Sequence, residues 1–342
     1  MESKTKINPS LVRQVFVLIL IVFLGVLIFK EIIPYLTGIL GAITLYVLMY
    51  KWMKKLVERG WKKSYAAALL MIGSFIGILI PIVLIVIMLT AKIGKAVANS
   101  EKVIIAFKDQ LNKAEAYIGY DISNNIDSDS ITSWLSTNLQ SFAGGTFNAF
   151  IAIGIMYFML YYMLIGREKM NDILESYIPL ASKHIKLIGK ESDVSVRSNA
   201  IGIPLVALIQ GIIALVGFLI FGVPDPFFWF VITAVGSMIP FIGTALGIIP
   251  VSILLFSQGM EWQAIAIFIY GIVVVGSTDN IVRLYILEKL SSVHPLITLF
   301  GVVVGVPLFG FIGLIFGPLL ISLFLLILKI YKTEYGISHD NL

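Results

Sequence analysis

Asp279 and Arg283 stand four residues apart in Gly276-Ser277-Thr278-Asp279-Asn280-Ile281-Val282-Arg283, at the end of a strongly apolar run. On a helix that spacing puts acid and base on one face, where each can neutralise the other. Charges in or beside an apolar span are costly and face a cavity or a partner. Two roles stay open for the pair: a gate or a cation or proton site, or a tether for the helix end. An aspartate beside an arginine has its ionised form stabilised, so it is a poor proton carrier near neutral pH. Gln210 is the other conspicuous polar group, in Pro204-Leu205-Val206-Ala207-Leu208-Ile209-Gln210-Gly211. Its amide needs a hydrogen bond, from another helix or from a permeating polar solute. His294, before Pro295, reads as a hydrogen-bonding group at the entry to the last apolar segment.

Other chemistries lack their residues. The chain has no cysteine, which excludes disulfides, thiolate metal sites and cysteine nucleophiles, and His184, His294 and His339 are too scattered for a zinc cluster. No Gly-x-x-x-x-Gly-Lys-Ser/Thr loop is present to cradle ATP phosphates. Asp225 and Asp279 could pair inside a membrane, but no Gly-x-Gly-Asp, His-Glu-x-x-His or Gly-x-Ser-x-Gly arrangement accompanies them. The acidic run from Asp121 to Ser130 lacks the turn glycine and terminal glutamate of a calcium loop, having Ile126 and Thr132 there. A non-enzyme without cofactor or metal is expected.

The elements that carry these residues must sit in lipid. Of 342 residues 58% are hydrophobic and 13% charged, about half the charge of a soluble domain. A mean hydropathy of +0.97 is more than one buried core can hide from water. The net charge of +5 lies in loops, so it reports orientation and not nucleic-acid binding. The sequence predicts an all-α polytopic integral membrane protein with about eight apolar segments.

Residues 1–91 hold three spans. Leu11 to Phe29 follows Lys4, Lys6 and Arg13 but no small-residue cleavage site, so an uncleaved helix is expected. After the second run, Ile32 to Tyr50, comes Lys51-Trp52-Met53-Lys54-Lys55, then Arg59, Trp61, Lys62 and Lys63. These bases mark the cytoplasmic side, first as a topogenic loop and second as a cluster able to bind anionic lipid. The third run, Tyr65 to Ala91, leads to residues 92–141, expected as an extracytoplasmic insert. Its amphipathic helix would lie on the membrane or on a neighbouring subunit. Residues 142–199 would be a fourth span followed by cytoplasmic helices, with the fifth span from Ala200 to Phe221. Both termini are expected in the cytoplasm and the protein in the plasma membrane.

Residues 200–342 differ. Eight of twelve prolines and sixteen of twenty-nine glycines lie beyond Ile201 in apolar sequence. Broken backbone at membrane depth survives only inside protein or beside a water-filled cavity. Pro240-Phe241-Ile242-Gly243, with Gly247 and Pro250, lays on Pro307-Leu308-Phe309-Gly310, with Gly317 and Pro318. Interrupted segments in corresponding places point to repeats around a midplane site. Phe227 to Phe256 and Pro295 to Leu328 each exceed a simple span, and both are expected as re-entrant hairpins, with full crossings as the alternative. Hairpins keep Arg283 and Lys289 on the cytoplasmic side, whereas crossings would put both bases outside.

Pro240-Phe241-Ile242-Gly243, Asp279-Asn280-Ile281-Val282-Arg283, His294-Pro295-Leu296 and Gly310-Phe311-Ile312-Gly313-Leu314-Ile315-Phe316-Gly317-Pro318 together resemble the C-terminal signature of the autoinducer-2 exporter family. The likeness includes the span order, the insert and Gln210-Gly211, and so covers nearly the whole chain. The proline that usually follows the family's Asp-Asn-x-x-Arg is Leu284 here, which removes the basis for a kink but not for the assignment. The resemblance implies a homo-oligomeric transporter of a small polar solute or ion; family members are linked to export of a signalling molecule or described as sodium/proton antiporters. A passive channel is the alternative. The path or gate is expected at Gln210, Pro240, Gly243, Asp279, Asn280, Arg283, His294, Pro307, Gly310, Gly317 and Pro318.

Overall fold

A computed structural model describes residues 9–83, 85–88, 146–239, 243–278, 281–282, 285 and 295–335. The expected insert, 92–141, lies outside the described residues, as do Pro240, Asp279, Asn280, Arg283 and His294. Among the described residues every regular element is helical.

Helix α1, Pro9–Ile32, has proline at its first position, where the missing N–H is no loss. It is apolar on all sides and exposed from Ser10 to Ile32, as suits a helix solvated by lipid. A 3-10 turn at Ile33–Tyr35, with Pro34 in it, joins α1 to α2, Leu36–Glu58, in one continuous helical stretch. Gly60, at a φ of 88°, ends the following turn, where a left-handed residue stops a helix. Next come α3, Lys63–Ser74, then α4, Thr146–Ile165, and α5, Arg167–Tyr177. Gly38 brings α2 against Ala152 of α4, so these backbones nearly touch. Ala42, Leu45, Ala66, Ala67, Leu160 and Leu164 make their shared core.

Helix α6, Ser182–Ile220, is a single 39-residue helix. The expected passage from cytoplasmic helices to a fifth span at residues 199 and 200 is therefore no break. At 1.5 Å per residue it is about 58 Å long, nearly twice a hydrocarbon core of about 30 Å. Then follow α7, Pro226–Ser237; α8, Ala245–Ser257; α9, Glu261–Tyr270; α10, Pro295–Phe309; and α11, Gly313–Tyr335. Asp225, left-handed at a φ of 52°, precedes Pro226 at the start of α7, so Pro224-Asp225-Pro226 makes the turn into that helix. Phe218 of α6, Val251 and Leu255 of α8 and Ile267 of α9 form a second core.

Four helical stretches are long and apolar enough to cross a membrane: Ser10–Glu58, Lys63–Met88, Ser182–Ile220 and Leu296–Glu334. Shorter apolar helices accompany them. The chain is an all-α polytopic membrane protein.

Candidate functional site

Both Pro/Gly-rich stretches double back. In the first, α7 and α8 form a helical hairpin in which Gly236 and Gly243 meet so closely that a Cβ on either would overlap the other's carbonyl oxygen. Gly247 of α8 packs the same way on Thr233 of α7. In the second, α10 and α11 fold back through Gly310–Ile312, with Gly310 at a φ of 63° that L side chains adopt only with strain. Gly301 lies against Gly317 and Pro318, and Gly305 against Gly313 and Gly317. Each leg thus offers a Gly-x-x-x-Gly face to the other, which allows backbone contact without side chains between.

The two stretches matched in sequence therefore correspond in space. Gly243 and Gly310 sit at the two tips, and Gly247 and Gly317 lie in the returning legs against the legs before them. Pro307 stands in the last turn of α10, and Pro318 is fully buried inside α11.

The tips meet. Met238 and Ile239 from the first hairpin and Val302, Val306 and Leu314 from the second pack around Ile203 of α6. Helix α11 runs antiparallel to the first half of α6. His184 Nε2 is 2.6 Å from Glu334 Oε1 at one end, and the Asn199 side-chain amide donates to the Ile315 carbonyl, 3.1 Å away, at the other. Helix α7 runs antiparallel to the second half, with Gly211 against Phe230 and Ala234. The hairpins thus approach residues 199–203 from opposite ends of α6. Helix α2 closes the side of the second tip: Val47 packs with Val196, Phe316 and Leu319, and Arg197 Nη2 donates to the Val47 carbonyl.

The face of α6 turned to the hairpins is apolar except for a sparse polar line. Ser195 and Asn199 are one turn apart, and Gln210 lies eleven residues beyond Asn199, three turns at 3.6 residues each. Ser195, Asn199 and Gln210 are buried. Among the described residues the Ser195 hydroxyl and both ends of the Gln210 amide have no hydrogen-bond partner. Buried polar groups left unpaired are uncommon, because each forfeits its hydration. The interhelical bond expected for Gln210 is thus not found among the described residues.

The opposite face of α6 carries Lys183, Lys186, Lys190, Asp193 and Arg197, spaced three and four apart. Arg197 pairs with Asp193 at 3.6 Å and Lys183 with Glu334 at 3.7 Å, while Lys186 and Lys190 are exposed. The start of α6 faces the charged end of α11 at Glu334, and beyond it the neighbour is the hairpin 295–328, which contains no charged residue.

Asn199, Ser195, Gly301, Gly305 and Gly313 were not among the residues expected from sequence. Gly301-x-x-x-Gly305 and Gly313-x-x-x-Gly317 were legible as close-packing motifs. Asn199 was hidden by the charged residues before it, which read as a cytoplasmic loop.

A polytopic helical protein with two glycine-closed hairpins around a long central helix is thus defined. The AI-2E family transporter model matches residues 17–333, and the chain belongs to that family. A protein named "Putative transport protein" from Aquifex aeolicus is 24% identical over 242 residues, covering 69% of each chain. A like-named relative from Treponema pallidum is 28% identical, covering 53% of this chain and 45% of its own. One from Methanocaldococcus jannaschii is 23% identical, covering 50% and 52%. The match thus spans about half the length of the latter two.

Proposed function

We propose that the chain is a secondary transporter whose solute path runs between the two hairpin tips and the polar line of α6. The observation that carries this reading is the meeting of the tips at Ile203, flanked by the buried Asn199 and the unpaired Gln210. Interrupted helices that meet beside unpaired polar groups supply free backbone and amide dipoles where a solute can replace water. Amides, hydroxyls and carbonyl oxygens make up this polar line among the described residues, which suits a small polar solute. With no ATP-binding loop in the sequence, coupling falls to an ion gradient or to the solute's own gradient. The partners are the lipid bilayer and, as the family resemblance implies, further copies of the chain.

On the opposite face of α6, away from that path, Lys190, Asp193 and Arg197 adjoin the uncharged hairpin 295–328; if the hairpin lies at membrane depth these charges lie there too, and such charges face water or a partner.

The test is flux into liposomes containing purified protein, screening small polar signalling molecules and sodium and proton gradients. The expected result is saturable uptake accelerated by the same solute on the far side. Flux that rises linearly without such acceleration would instead make the protein a pore.

A further inference from the structure

A second polar feature lies away from the hairpins, where α2, α3 and α4 all pass from apolar to charged sequence. There Tyr50, Met53 and Lys54 of α2, Lys63 of α3, and Leu164 and Arg167 at the α4–α5 junction line an open cavity of about 250 Å³. The Arg167 guanidinium lies 3.5 Å over the Tyr50 ring. Its Nη1 is buried with no hydrogen-bond partner among the described residues. Arginine does not escape burial by losing its proton. A ring face offsets part of the charge, but an N–H removed from water still needs an acceptor.

The other charges at the cavity are already matched, though weakly. Lys54 stands 3.7 Å from Glu58 and Lys63 stands 3.6 Å from Glu168, each pair well exposed and so easily rearranged. Three bases against two acids leave Arg167 as the uncompensated charge. Met53, Val57, Leu164 and Ile165 supply apolar walls beside it. Trp52, with Lys55 5.5 Å from its ring centre, sits on the same turns of α2, as aromatic residues do at headgroup level.

We propose that this cavity binds a phosphate group, with the Arg167 guanidinium as its principal donor and Lys54 and Lys63 closing over it. The phosphate can come from an anionic lipid headgroup, whose glycerol would rest on the apolar walls, or from a soluble phosphate. The site does not depend on the transport path.

The experiment uses the full chain purified in detergent, with thermal unfolding followed on addition of phosphatidylglycerol, phosphatidylcholine or inorganic phosphate. Phosphatidylglycerol is expected to raise the midpoint where phosphatidylcholine does not, and Arg167→Gln to weaken that binding by about tenfold or more, as loss of a charged hydrogen bond would. The double variant Lys54→Gln/Lys63→Gln should weaken it too, which keeps the test open if Arg167→Gln does not fold. Stabilisation by inorganic phosphate and not by phosphatidylglycerol supports the site with a soluble ligand. No stabilisation by either, or equal stabilisation of wild type and Arg167→Gln, overturns the proposal.

Discussion

Gln210 and Asn199 lie on one face of one helix but make opposite predictions. Asn199 donates its amide to the Ile315 carbonyl of α11. Asn199→Leu is therefore expected to destabilise by about 1–3 kcal/mol, read as a lower melting midpoint in detergent. Gln210 has no partner to lose among the described residues. Gln210→Leu should leave the midpoint unchanged or raise it, since an unpaired amide gives way to an apolar group of similar size. The same variant should cut uptake of the transported solute by about tenfold, the worth of one hydrogen bond to a solute in a dry site. A lower midpoint with full uptake would make Gln210 structural. Sequence exposed Gln210 because it interrupts an apolar run. Asn199 follows Arg197 and Ser198 in a charged stretch, and only the approach of α11 singles it out.

At the scale of elements, the hairpins depend on glycine at contact points and not on glycine in general. Gly317→Ala would drive a methyl into the Gly301 carbonyl, a backbone atom that cannot turn aside, whereas a Cβ on Gly154 would meet nothing within 4 Å. Overpacking of this kind costs about 1–3 kcal/mol. The expected outcome is a smaller monodisperse fraction on size exclusion for Gly317→Ala and none lost for Gly154→Ala. The doubling back of both stretches was legible from the Pro-apolar-apolar-Gly units, because proline and glycine clustered in an apolar run favour an interruption there, although Pro204, Pro250, Pro307 and Pro318 themselves sit inside helices. The meeting of the tips was not, since it depends on side-chain fit at Ile203 between segments about sixty residues apart in the chain. The continuity of α6 was also hidden. Its first half carries enough charge to read as a loop, yet Lys183, Lys186, Lys190, Asp193 and Arg197 keep to one face at helical spacing, with Glu191 off that face, while the other face packs on α11. Lys190→Cys should thus react with a membrane-impermeant thiol reagent while showing the quenching by lipid-borne quenchers expected of a site at membrane depth. Reaction without quenching would put that half of α6 in the cytoplasm.

For the whole molecule, two returning hairpins fix the parity of the remaining spans. Gln258, after the first hairpin, should be outside, and Lys289 inside with the other basic loops. Single cysteines at the two positions test this on intact cells without background, because the chain contains none. Labelling of Lys289→Cys from outside, with Gln258→Cys labelled only after permeabilisation, would contradict the hairpin topology. The expected homo-oligomer is a separate matter, and deleting residues 98–136 should lower the mass in detergent if that insert holds copies together. The central claim is that the junction of the tips is a solute path and not a sealed core. Val306, half-buried beside Ile203, is the position that decides it. In liposomes of oriented protein, Val306→Cys should be modified by a small impermeant thiol reagent added from either side. Protection of Val306→Cys from both sides, with Gln258→Cys modified normally in the same preparation, would mean that nothing passes between the hairpins.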